Sequence, residues 1–247
     1  DISVQQLRFL ATIADNRANA LFFSGDLGQR IFQTPFSWKN LGVDVRGRSR
    51  TLNINYRTSH QIRSQADRLL GPEVSDVDGN VESRKGTISV FNGPEPIICG
   101  YANAETENQA VGAWLKQCNS SGVLPQEIGV FVRSESELSR AQAAVKAAGL
   151  QGRVLGKDMV TEEGFVSIST MHLAKGMEFR VVAVMACDDE IIPSQMRIDT
   201  AADEAELTEI YNTERQLLYV ACTRARDQLH VSAVKPESEF LGDLLQK

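Results

Sequence analysis

Val166-Ser-Ile-Ser-Thr170-Met-His172-Leu-Ala-Lys175-Gly176-Met-Glu178-Phe179-Arg-Val-Val-Ala-Val-Met-Ala-Cys187 holds two β-rich runs joined by a polar loop. The second run, Val181 to Cys187, is apolar at every position. A strand with one wet face alternates polar and apolar residues; a strand covered on both faces does not. This run therefore predicts a central strand of a parallel sheet with helices on either side. The polar loop between the two runs then lies at a sheet end, where α/β proteins place ligands.

Reading outward supports the same class. Downstream, Glu204 to Val220 has helical spacing, and Gln228 to Ser232 reads as a last strand. Upstream, a helix is expected over about Glu105 to Cys118 and a strand over Ile128 to Val132. A second helix follows from Ser136 to Ala148, with Gly149 as its C′ residue, and then a short strand at Arg153 to Leu155. Strand-like runs occur at Thr87 to Phe91 and Ile97 to Tyr101, parted by Gly93-Pro94-Glu95-Pro96. Gly71 to Gly86 is turn-rich and reads as a surface connection. Nearer the start, Val4 to Ala14 is helical, Ala20 to Phe23 reads as a buried strand, Thr51 to Tyr56 as a strand and Ser59 to Leu70 as a helix. Strands alternating with helices give an α/β fold with a parallel sheet.

Composition bounds the function classes. The chain has 247 residues, enough for one large domain or two small ones. Its net charge of −6 argues against a uniformly basic nucleic-acid coat. That mean hides a basic block with six arginines against two aspartates from Asp44 to Leu70. It also hides an acidic block, nine acids against one arginine, from Asp188 to Glu214. No apolar run approaches the roughly 20 residues that span a bilayer, so no membrane role is expected. Cys99, Cys118, Cys187 and Cys222 are widely spaced and form no metal-binding pair; they read as buried thiols of a cytoplasmic protein.

One stretch imitates a phosphate loop. Gly42-Val-Asp-Val-Arg-Gly47-Arg48-Ser49 approaches GxxxxGK[ST], yet a strand is expected after it where the motif needs a helix, and Arg48 replaces the lysine. It is rejected. No metal site is expected among its residues.

Four segments carry candidate chemistry, each expected in a loop that follows a strand. They are Phe23-Ser-Gly-Asp-Leu-Gly-Gln29-Arg-Ile-Phe32, Asn53-Ile-Asn-Tyr56-Arg57-Thr58, Val166 to Phe179, and Glu214-Arg215-Gln-Leu-Leu-Tyr219-Val-Ala-Cys-Thr223-Arg224-Ala-Arg226. In this order they resemble motifs III, IV, V and VI of superfamily 1 helicases of the UvrD/Rep/PcrA type, over residues 1 to about 233. The resemblance implies a RecA-like fold of the P-loop NTPase type. It would be a second helicase core domain over residues 46–247, preceded by the tail of the first over residues 1–45. Only about ten residues separate the strand near Leu155 from the third segment, so no large helical insertion is expected there. Asp1 resembles the last aspartate of a metal-binding motif, which implies that the phosphate loop and Mg²⁺ ligands lie upstream.

The resemblance also implies residue roles. Gln29 would sense the γ-phosphate and position water, since an amide both donates and accepts. Arg57 and Arg224 would contact the γ-phosphate, Arg224 as the finger across the cleft. Tyr56 would stack on adenine, Glu178 would bind the ribose hydroxyls, and Gly176 would let the backbone approach the nucleotide. Thr170, His172 and Lys175 would couple nucleotide state to the DNA strand. Phe32 matches an aromatic of the first segment, but Thr34 stands where the family places a base-stacking tryptophan, with Phe36 and Trp38 close by. The implied ligands are ATP with Mg²⁺ and single-stranded or partly duplex DNA, and the implied partner is the N-terminal half of the same protein. A nonenzymatic helicase-derived module is the alternative. A nuclease metal site at Asp188-Asp189-Glu190 is disfavoured, because the family has none in that loop.

Overall fold

The computed structural model describes residues 2–245 apart from 16, 18, 30, 32–35, 44, 46, 49, 72, 76, 77, 80, 84, 85 and 157. Phe32 and Thr34 lie outside the described residues. Helix α1 (Val4–Ala14) opens the chain, capped by Ser3 and Gln6 in a reciprocal capping box. Strand β1 (Ile54–Asn55), helix α2 (His60–Asp67), a hairpin of β2 (Glu73–Ser75) and β3 (Val81–Ser83), and β4 (Ile88–Ser89) follow. β1 and β4 pair in parallel as a small separate sheet.

The body of the chain is the predicted α/β alternation. It runs through β5 (Ile97–Tyr101), α3 (Ala104–Ser120), β6 (Ile128–Val132), α4 (Leu138–Ala147), β7 (Gly152–Val154), β8 (Val166–Thr170) and β9 (Phe179–Val184). After these come α5 (Gln195–Ile198), α6 (Glu204–Cys222), β10 (Ala225–Val234) and α7 (Glu239–Leu245). β5 to β10 form one six-stranded sheet in the order β5-β10-β9-β6-β8-β7, with every pairing parallel.

The apolar run that predicted a central strand lies where it should, with β9 between β10 and β6. Its side chains divide by parity between two cores. Val182 and Val184 join Phe131 on the face covered by α2, α6 and α7. Val181 and Ala183 join Val130 and Val132 on the face covered by α3 and α4. Helices α3 and α4 approach closely at Gly112. A Cβ built there would meet the carbonyl oxygen of Ala144 at 2.8 Å, so only glycine fits without a shift. Among the described residues, no helix is long and apolar enough to cross a membrane.

Several elements differ from the sequence expectation. Ala20 to Phe23 is not a buried strand: it has no ladder partner among the described residues, and Phe22 is 93 % exposed. An apolar tetrapeptide becomes a strand only where another strand satisfies its backbone groups. Thr51 to Tyr56 reduces to the two residues of β1 for the same reason, since β4 offers only two partners. The connection from Gly71 to Gly86 contains the β2–β3 hairpin, and α5 and α7, both short, had no clear periodic signal. β10 is longer than expected, because its polar start at Ala225 to Asp227 still pairs with β9.

Candidate nucleotide and strand site

Residues of all four segments meet near the amino ends of β9 and β10. The loop that enters β9 carries Lys175, Gly176 and Glu178, and α6 delivers Arg224 immediately before β10. Phe179 N–H donates to the Arg224 carbonyl, which locks the two strand starts together. This corrects the expectation that all four segments follow strands: Glu178 and Arg224 precede theirs. A parallel sheet has two ends, and the crossover through α6 returns the chain to the amino end before β10 begins. Thr170 ends its strand at the carboxyl side, and Tyr56 and Arg57 follow the end of β1.

Arg224 is buried, and its guanidinium is almost fully engaged. Nε donates to the Val220 carbonyl at 2.9 Å, Nη1 to the Met177 carbonyl at 3.4 Å and Nη2 to Gln29 Oε1 at 3.2 Å. Burial, followed by the charge of Arg57, lowers its pKa to about 10. Arg57 Nη2 donates to the same Met177 carbonyl. Two guanidiniums thus converge on one neutral oxygen. Arg57 Nε lies 3.2 Å from Glu178 Oε2, an ion pair by distance, yet the buried Nε has no aligned hydrogen-bond acceptor among the described residues. Such an excess of cationic donors fits an anion.

Gln29 ends a short 3-10 turn, Leu27–Gln29, which Asp26 shapes. Asp26 accepts from Gly28 N–H at 2.8 Å and from the Gln29 side-chain amide at 2.7 Å. The amide oxygen is therefore turned toward Arg224. Lys175 Nζ donates to the Gln29 backbone carbonyl at 2.6 Å. Burial lowers the Lys175 pKa, Asp26 opposes that shift and Arg224 adds to it. Gly176 has φ of +90°, a turn that an L side chain would strain. Tyr56 is 71 % exposed beside Arg57, with its ring face open to solvent. Arg57 is held from below: its N–H donates to Asn55 Oδ1 at 2.8 Å, and Asn55 Nδ2 donates to Thr58 Oγ1 at 2.6 Å.

Thr170 and His172 lie apart from this cluster, toward the carboxyl end of β8. His172 sits on a 3-10 turn, Met171–Ala174, whose Met171 and Ala174 pack against α6 in the core. Burial and Arg133 lower the His172 pKa; Glu214 opposes and Arg197 adds. Lys175 therefore parts company with Thr170 and His172, since its ammonium reaches Gln29. Phe32 is outside the described residues, while Trp38 packs tilted against Phe23 at 5.1 Å and edge-on against Phe36 at 5.2 Å.

Sequence reasoning passed over three participants. Asp26 fixes Gln29, and its three-residue spacing from that glutamine was the available signal. The Met177 carbonyl gathers both arginines, and no side-chain motif can announce a backbone oxygen. Glu214 was quoted only as the start of the fourth segment. It is fully buried, and it accepts Arg133 Nε and Nη2 at 2.6 Å each and Arg197 Nη1 at 2.9 Å. The Asp188 carboxylate accepts Arg140 Nη1 and Val234 N–H, both at 2.6 Å.

Residues 157–236 match the UvrD-like helicase C-terminal domain family. The ATP-dependent DNA helicase UvrD1 of Mycobacterium tuberculosis is 38% identical over 95 residues, which is 34% of this chain and 11% of that protein. The ATP-dependent DNA helicase PcrA of Bacillus subtilis is 33% identical over 100 residues, 36% of this chain and 12% of that protein. The matching stretch thus spans about a tenth of these relatives' length. The crystal structure of the C-terminal domain of a possible DNA helicase from Lactobacillus plantarum has the same fold. It superposes with a TM-score of 0.52 at 24% identity, covering 77% of this chain and 94% of that one. The first two segments precede the family match and the last two fall within it. The resemblance to UvrD/Rep/PcrA helicases is borne out, and residues 157–236 match the C-terminal domain of that family.

Proposed function

We propose that this chain is the C-terminal part of an ATP-dependent, UvrD-like DNA helicase or translocase, with residues 1–45 as the tail of a first RecA-like domain and 46–247 as the second. The observation that carries the proposal is the convergence of Arg57 and Arg224 on the Met177 carbonyl, with Gln29 bonded to Arg224. This is a cationic, donor-rich cluster in which one neutral oxygen stands where a phosphate oxygen would bind better. Arg224 and Arg57 would stabilise the charge on the γ-phosphate, and the Gln29 amide would orient the attacking water. Tyr56 would stack on adenine, and Glu178 would accept from the ribose hydroxyls beside the turn at Gly176. Those bonds would draw Glu178 away from Arg57.

Thr170 and His172 face the strand side, and Lys175 joins their loop to Gln29. Phe32 would belong to the strand side as well. The DNA strand would be single-stranded or the unpaired arm of a partly duplex molecule. Among the described residues no group of three His, Cys, Asp or Glu is placed to hold a metal ion. The Mg²⁺ that accompanies ATP would therefore take its protein ligands from the N-terminal half, together with the phosphate loop.

The test is ATP turnover by the full-length protein. Arg57→Ala and Arg224→Ala should each lower kcat by about 10³-fold, with affinity for an oligothymidylate unchanged. Turnover that survives either substitution would reject the roles assigned to these arginines, whereas a full-length wild-type protein without ATP turnover would favour a nonenzymatic module.

A further inference from the structure

The geometry points to Glu214 as a positioning residue that couples the strand-facing loop at His172 to Arg224, with Arg133 and Arg197 as its two arms. This inference rests on the roles proposed for His172 and Arg224. Glu214 lies on α6, ten residues before Arg224. Along a helix that separation is about 15 Å. The carboxylate is fully buried and takes three charge-assisted bonds from two guanidiniums. Arg133 comes from the end of β6, where the register pairs Val132 with Thr170, so it neighbours the strand-side loop. Arg197 comes from α5 and keeps its side chain 38% exposed.

These contacts close a ring. From His172 the chain runs through a turn packed on α6 to Met177, whose carbonyl accepts from Arg224. From Arg224, α6 runs back to Glu214. Burial comes first in lowering the His172 pKa, and the charges of Arg133, Glu214 and Arg197 also act on its ring. A strand phosphate that pulls on the exposed Arg197, or a shift of the His172 turn, therefore loads α6 at Glu214. The helix is packed along Leu217 to Cys222 and cannot bend to absorb the load, so its end at Arg224 must move. Removing one arm leaves a buried charge without its full complement and loosens that connection.

The experiment measures basal and oligothymidylate-stimulated ATP turnover of the full-length protein with Glu214→Gln, Arg197→Ala, Arg197→Lys and the Glu214→Gln/Arg197→Ala pair. Arg197→Ala should lower the stimulated-to-basal ratio about fivefold and Glu214→Gln about tenfold, while the KM for ATP stays within about twofold. Arg197→Lys should recover part of the loss, and the double variant should be no worse than Glu214→Gln alone. An unchanged ratio, or equal falls in basal and stimulated rates, would overturn the coupling role and leave a purely structural ion cluster. Should Glu214→Gln fail to fold, Arg197→Ala against Arg197→Lys decides alone, since Arg197 is half exposed. A wild-type protein without stimulated turnover would overturn both this inference and the function it rests on.

Discussion

His230 shows how a single side chain records its surroundings. It lies under α3 on β10, with Trp114 edge-on at 5.1 Å and the Tyr101 hydroxyl 3.4 Å from Nε2. Its Nδ1 is buried without a hydrogen-bond partner among the described residues. Burial lowers its pKa to about 4, against 6.5 for a free imidazole. Unfolding therefore binds a proton between these values, and stability falls as pH drops from about 6.5 to about 4, by about 3 kcal/mol from this group. Urea unfolding at pH 7.5 and pH 4.5 should show that loss, and His230→Gln should shrink the difference between the two pH values. An equal difference in both proteins would refute the assignment. At the proposed site, Gln29, Arg57, Glu178 and Arg224 were legible because each follows a recognisable local pattern. The mutual grip of Gln29 on Arg224 was not, because 195 positions separate the two.

Helix α6 is the element on which most of the site depends. Its start is set by Asp203, whose side chain accepts from Glu206 N–H at 2.8 Å, and by acidic residues in the first turn that suit the helix dipole. The acidic block from Asp188 to Glu214 thus has structural causes. Asp203 caps, Glu204 and Glu206 meet the positive helix end, Glu214 neutralises the buried Arg133, and Asp188 pairs with the partly buried Arg140. Asp203→Ala should cost about 1 kcal/mol, seen as a lower urea midpoint with an unchanged slope. The α3–α4 contact is stricter. Gly112→Val must displace the Ala144 carbonyl or the Ala147 methyl, both 2.8 Å from the first added carbon, and should cost at least about 2 kcal/mol. A Gly112→Val protein as stable as wild type would show that the two helices can part freely.

For the whole molecule, the charge distribution matters more than its sum. The arginines of the basic block serve different ends. Arg57 enters the site, Arg63 pairs with Asp67 at 2.7 Å, and Arg68 donates to the Leu244 carbonyl at 2.9 Å. A phosphate site needs only a few well-placed cationic groups, so a net charge of −6 is compatible with the proposed nucleic-acid and nucleotide ligands. The site as described has arginine and glutamine donors but no phosphate loop and no metal ligands. The purified 247-residue chain should accordingly show no appreciable ATP turnover, with or without oligothymidylate. Turnover that disappears in Arg224→Ala would overturn that expectation.

The sequence by itself determined the parallel α/β class, because burial on both faces removes polar residues from a central strand and leaves a run such as Val181 to Cys187. It also determined the four segments, since their residue types sit at short fixed spacings. The tertiary structure decided which sheet end gathers them. It also separated Lys175 from His172 and brought Glu214 against Arg133 and Arg197. Those outcomes depend on crossover paths and on contacts between residues far apart in the chain, and local spacing carries no record of either.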